Sequence, residues 1–179
     1  VAASIKADAA DAPGEVKLYD TNGTRLASYP TGALPDNVVF SPDSRYMLTA
    51  NEGEPSDDYS VDPEDNFTLI DLANGPASAV VTQISHDGFS APAGSRIVKP
   101  SSSFAAHAEP EYVAFAPDGK LAYVTLQENN AVAVIDIASA SVAAVSGLGT
   151  KNVSRTSHNM SNKDSGINMK RWPVLMMCQ

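Results

Sequence analysis

Residues Glu109 to Val145 read EPEYVAFAPDGKLAYVTLQENNAVAVIDIASASVAAV. Tyr112–Ala116 and Leu121–Leu126 are short apolar runs separated by Pro117-Asp118-Gly119. Gln127–Asn130 is a polar break before a third run at Ala131–Ile137, and Ala138–Ser141 turns into a fourth at Ser141–Val145. Each run is β-branched or aromatic, and each break carries Pro, Gly, Asp, Asn or Ser. This is the pattern of strands joined by tight turns. Four antiparallel strands in a meander of this length make one blade of a β-propeller.

The pattern occurs twice. Pro35-Asp36-Asn37-Val38-Val39-Phe40-Ser41-Pro42-Asp43 lies on Pro110-Glu111-Tyr112-Val113-Ala114-Phe115-Ala116-Pro117-Asp118 at a constant offset of 75 residues. With one residue of slack in the turn, Leu48–Glu52 lies on Val124–Glu128. Thr68-Leu69-Ile70-Asp71-Leu72 lies on Ala133-Val134-Ile135-Asp136-Ile137. The sequence therefore predicts an all-β chain, a partial propeller of four-stranded antiparallel blades; the competing architecture is a sandwich of unrelated hairpins.

Outward from these copies, residues 1–14 read as a lead-in, and 15–32 as a hairpin with Asn22-Gly23 at its turn, the outer half of a blade. Residues 35–85 form a blade, 86–108 an insertion with a short strand candidate at Arg96–Lys99, and 109–147 the next blade. Residues 148–179 are a long loop that ends in an apolar stretch resembling the start of another strand. Blades become stable by stacking around a closed ring. Two and a half of them leave open edges, so the expected partners are the remaining blades or further chains that complete the propeller.

The chain has 179 residues and a formal net charge of −9, which argues against a nucleic-acid partner. No apolar run is long enough to span a bilayer. The single cysteine, Cys178, can form no intramolecular disulfide. There is no nucleophile elbow, P-loop, zinc-protease helix or dinucleotide-binding glycine motif. His86, His107 and His158 are scattered through predicted loops, where isolated histidines seldom converge on a metal.

In a propeller, the start of each blade's first strand and the turn between its second and third strands share one rim. Asp36, Asn37, Glu109 and Glu111 belong to the first group. Asn51, Glu52, Glu54, the acidic run through Asp65, and Gln127–Asn130 belong to the second. Crowded carboxylates repel unless protonated, paired with a base or bound to a cation. Basic residues are sparse in these loops, and oxygen ligands suit a divalent cation, Ca²⁺ foremost. The expected ligands are Glu52, Glu54, Glu109, Glu111 and Glu128. A solvated acidic rim is the plainer alternative.

The paired motifs, together with Asn51-Glu52-Gly53-Glu54-Pro55 and Gln127-Glu128-Asn129-Asn130, resemble those of the choice-of-anchor I proteins. These are secreted or surface-anchored bacterial proteins similar to the mesenchyme-specific cell surface glycoprotein. Asn168–Gln179 is similar to the family's Asn-Trp-Pro-Val segment, although Met176 and Cys178 stand where the family has Gly and Tyr. Members are several hundred residues long, so the resemblance implies an N-terminal piece of an extracytoplasmic propeller (periplasmic, secreted or cell-surface). It also implies handling of calcium or phosphate, since members are often labelled alkaline phosphatase-like. Three functions follow as expectations: a cation-binding module, a metal-dependent phosphomonoesterase, or a scaffold for a phosphate-containing, peptide or glycan ligand.

Overall fold

A computed structural model describes residues 1–9, 11–53, 55–56, 60–97, 103–104, 107–152, 154–155, 157–159, 169–170 and 175–177. Its two complete sheets are the two copies of the repeat. In the first, β4 (Pro35–Phe40), β5 (Tyr46–Asn51), β6 (Asn66–Asp71) and β7 (Val80–Ser85) pair in chain order, all antiparallel. In the second, β8 (Pro110–Phe115), β9 (Leu121–Leu126), β10 (Ala131–Asp136) and β11 (Ser141–Gly147) do the same.

The repeated acidic residues shape the turns. Asp43 accepts the Arg45 N–H at 3.0 Å, and Asp118 accepts the Lys120 N–H at the same distance. Asp71 and Asp136 close the next turns by accepting from Ala73 N–H and Ser139 N–H. The Pro-Asp and Ile-Asp signatures are thus Asx-type turn devices.

The ladder registers remove the slack allowed above. Val39 faces Leu48 as Ala114 faces Tyr123, and Pro35 faces Asn51 as Pro110 faces Leu126. The two Pro-Asp turns have equal length, so no residue is gained between the copies. Asn51 therefore corresponds to Leu126, and Glu52 to Gln127 rather than Glu128.

Residues 1–14 differ from the lead-in expected. Ala2–Ile5 is β1, paired with β2 (Pro13–Tyr19), which pairs with β3 (Arg25–Ala33). The alternation Glu15-Val16-Lys17-Leu18 buries Val16 and Leu18 on one face, and that face packs on the middle sheet. Residues 6–9 and 11–12 thereby lie between two paired strands. The strand candidate at Arg96–Lys99 is not formed at Arg96 and Ile97, and its remainder lies outside the described residues. Beyond β11, β12 (Thr150–Asn152) pairs with β15 (Leu175–Met177), and β13 (His158–Asn159) with β14 (Met169–Lys170).

The middle sheet is covered on both faces, which is why β5 and β6 are near-continuous buried runs while β9 and β10 alternate. One core, containing Val16, Leu18, Tyr29, Met47 and Ile70, lies between the first and middle sheets. The other, containing Leu48, Phe67, Leu69, Val113, Val124 and Ile135, lies between the middle and third. The inner strands β4 and β8 approach more closely than the outer strands β7 and β11. The sheets fan from their inner strands: they are propeller blades, hereafter blades one to three. No described helix is long and apolar enough to cross a membrane.

Candidate functional site

The rim is built from inner-strand starts and the turns beside them. Asn37 Oδ1 accepts the Val113 N–H at 3.2 Å, tying β4 to β8 near their starts. This brings Asp36, Glu111 and Glu128 within electrostatic reach. Burial raises the Glu111 carboxyl above the usual glutamate range, and the charges of Asp36 and Glu128 push it further. A second acidic group lies around Asp65, whose neighbours include Glu109 and Asp62. Blade one adds the loop after β1, which carries Asp8 and Asp11; a cleft of about 480 Å³ opens there against Ile5, Lys6, Gly14 and Glu15.

The expected ligands fare differently. Glu52 follows β5, its N–H bonded to Leu34 O at 3.0 Å. Glu109 lies just before β8, where its N–H bonds the Asp65 carboxyl. Glu111 is at the start of β8. Glu128 meets a base: Arg96 Nη1 is 2.8 Å from its Oε2. That arginine comes from the insertion, so the rim is less short of positive charge than the loop sequences alone suggest. Glu54 lies outside the described residues. Among the described residues, no group of three or more His, Cys, Asp or Glu side chains converges as a metal cage.

Beneath the rim is a polar interior with no local signature in the sequence. Asp65 is 2% exposed, and burial, then Glu109, raises its carboxyl to about 9. It is therefore neutral at pH 7. Its Oδ2 finds no hydrogen-bond partner among the described residues. Its carbonyl accepts from His86 Nδ1 at 3.3 Å. His86 is fully buried between Phe67 and Phe104, with ring centroids 4.6 and 6.1 Å away. Burial drives its pKa down to about 4, so the ring is neutral. Phe104 also meets His107, whose Nδ1 accepts from Asn129 Nδ2 at 3.2 Å. Two of the three histidines thus border one aromatic ring; the His158 side chain lies outside the description.

Two further polar devices brace the rim loops. Across blade two, Asn51 accepts from Thr49 and donates to Asn66 and Thr68, and Thr68 donates to Gln83, at 2.7–2.9 Å. In blade three, Asn130 Nδ2 donates to Gly94 O at 2.9 Å and Gly149 O at 2.7 Å. That binds the insertion to the end of β11. The composition of Gln127–Asn130 marks a polar turn, but its bonds to a loop some thirty residues upstream have no local signature.

Comparison with known proteins bears on the fold and family. The chain is similar to hydrazine synthase of Kuenenia stuttgartiensis, at 16% identity and a TM-score of 0.53, over 76% of this chain and 36% of that one. It is also similar to a periplasmic gluconolactonase of Pseudomonas aeruginosa, at 15% identity and a TM-score of 0.44, over 82% and 38%. A third is the Cps50 (Swd1) β-propeller domain of Myceliophteria thermophila, at 13% identity and a TM-score of 0.31, over 89% and 65%. The chain thus spans little more than a third of the first two. No curated protein matches it. The model of the choice-of-anchor I domain matches residues 1–179, the whole of the repeat and the polar rim described above, and the chain belongs to that family.

Proposed function

We propose that this chain is the rim-bearing part of an extracytoplasmic propeller module that binds a divalent cation, with Ca²⁺ the ion best suited to its ligands. The observation that carries the reading is the shared field of Asp36, Glu111 and Glu128, three carboxylates from two inner strands and one turn. Glu52, Glu54 and Glu109 are the further ligands proposed for the same rim. A bound ion would draw these side chains from electrostatic reach to oxygen–calcium distances of about 2.3–2.6 Å. It would relieve their repulsion and release Glu128 from Arg96. The family assignment supports a surface or binding role.

Thermal melts test this directly, because an ion that binds only the folded state raises the midpoint with concentration. The wild-type midpoint should rise on adding Ca²⁺ to chelator-treated protein, and the rise should shrink in Glu111→Gln and Glu128→Gln. An unchanged wild-type midpoint would count against the proposal. Metal-dependent phosphomonoester hydrolysis at the same carboxylates is assayed on the same samples with p-nitrophenyl phosphate. Turnover lost in Glu52→Gln and Glu128→Gln would make the rim catalytic rather than only binding.

A further inference from the structure

The passage from blade two to blade three has no counterpart in the passage before it. Leu34 alone joins β3 to β4, whereas residues 86–109 join β7 to β8. The longer passage meets the rim at Arg96. Arg96 N–H donates to Asn129 O at 2.7 Å, and Asn129 Nδ2 donates to Arg96 O at 3.3 Å. Gly94 O accepts from Asn130 Nδ2 at 2.9 Å. Gly147 lies so near Ala93 O and Ser95 N that a Cβ would meet them at 2.5 and 2.8 Å. The backbone of residues 93–96 is thus fixed to the β9–β10 turn and the end of β11 by contacts that do not involve the Arg96 side chain.

From that base the guanidinium reaches Glu128, with Nη1 2.8 Å from Oε2. An exposed ion pair is ordinarily weak, because two long side chains must be ordered to form it and solvent screens it. Here the two side chains spring from backbone already bonded together, residue 96 to residue 129, so the fold has met part of the ordering cost. The side chains remain 48% and 40% exposed, so an ion from solvent can reach Glu128 without opening a blade. Glu128 in turn lies within electrostatic reach of Glu111. Whatever cation holds Glu128 therefore bears on the shared rim.

Resting on the reading of the rim as a cation site, we propose that Arg96 sets that site's charge selectivity. Its tethered guanidinium occupies Glu128 as a resident monovalent cation, yields to a divalent ion and excludes a free monovalent one. The charges decide the order. A sodium or potassium ion brings the same single charge as the guanidinium, so the exchange gains no attraction. It must also be drawn from solution, while the tethered group is held at high effective concentration. A divalent ion doubles the Coulomb attraction at a given distance and can engage Asp36 and Glu111 as well. Lysine at position 96 would keep the charge but lose the planar fork, so it should compete in the same sense and less strongly.

Calorimetric titration of Ca²⁺ into the chelator-treated full chain tests this, with wild type beside Arg96→Gln, Arg96→Lys and Lys120→Gln. The last makes the same charge change on the exposed turn between β8 and β9, at the opposite end of blade three. Arg96→Gln should bind about two- to tenfold tighter than wild type, Arg96→Lys in between, and Lys120→Gln as wild type does. In thermal melts at equal ionic strength, wild type should have one midpoint in sodium chloride and tetramethylammonium chloride. Arg96→Gln should melt higher in the sodium salt. The Arg96 Nε–H NMR signal of wild type should shift when Ca²⁺ is added, a readout that needs no variant. Four results would each overturn the proposal and leave the cation site standing: equal Ca²⁺ affinity of wild type and Arg96→Gln, equal tightening in Lys120→Gln, no sodium preference in Arg96→Gln, or an unmoved Arg96 signal at saturating Ca²⁺. Ca²⁺ binding by neither wild type nor Arg96→Gln would overturn both.

Discussion

Asp65 holds a carboxyl group where a charge is costly, and that sets a pH dependence with a definite sign. Its folded pKa, about 9, lies above the unfolded value, so its favourable contribution is complete below about pH 4 and is lost as pH rises towards 9. Asp65→Asn replaces a neutral acid with a neutral amide of nearly the same shape. Its unfolding free energy, measured by denaturant titration, should fall less than that of wild type between pH 5 and 9. A parallel decline in both proteins would mean that Asp65 is ionised in the fold. His86 acts in the opposite sense. Its pKa is depressed to about 4, so its contribution is complete above about pH 6.5 and is lost as pH falls towards 4. His86→Asn should flatten the acid side of the stability profile.

Neither residue was legible as a buried group in the sequence. Asp65 reads there as one more member of an acidic run, and His86 as a loop histidine. Their burial depends on Phe67 from β6 and Phe104 from the insertion, contacts that no local pattern encodes. The turn carboxylates were legible because Asx turns form within a few residues. Asp43 and Asp118 bond backbone N–H groups two positions on.

At the scale of the element, blades two and three were legible nearly strand by strand, since period-two alternation and Pro-Asp turns are local signals. Strand β1 was missed because Ala2-Ala3-Ser4-Ile5 has little strand propensity. It becomes a strand by pairing with β2, which begins eight positions after β1 ends. The polar row within blade two is a separate element-level feature. Asn51→Ala removes the acceptor of Thr49 and the donor to Asn66 and Thr68. It should cost about 1–3 kcal/mol in chemical denaturation, because buried partners are left unpaired.

The insertion is held by close backbone approach as well as by Asn130. A Cβ on Gly147 would meet Ala93 O at 2.5 Å and Ser95 N at 2.8 Å, so backbone itself must move to admit a side chain. Gly147→Ala should destabilise by about 1–3 kcal/mol, as overpacking does. It should also speed hydrogen exchange at the Arg96 amide, which bonds Asn129 O. Unchanged exchange there would mean that the insertion is not braced through Gly147.

Across the whole molecule, tandem blades convert residues distant in sequence into neighbours on a rim. That consequence of the repeat was legible; the detail was not. The ladder registers reassign Glu52 to Gln127, and Arg96 reaches Glu128 from a segment with no counterpart in the other blades. An acidic chain of net charge −9 should also respond to salt. Screening weakens repulsion among exposed carboxylates, so the midpoint gained with Ca²⁺ should shrink as sodium chloride increases.

The shared rim is tested most directly by NMR titration of the Glu111 side-chain carboxyl. Its pKa should lie above the ordinary glutamate value, fall in Asp36→Asn and again in Glu128→Gln, and fall further in wild type when Ca²⁺ is added. A Glu111 pKa unmoved by all three changes would contradict the convergence of β4, β8 and the β9–β10 turn at one rim.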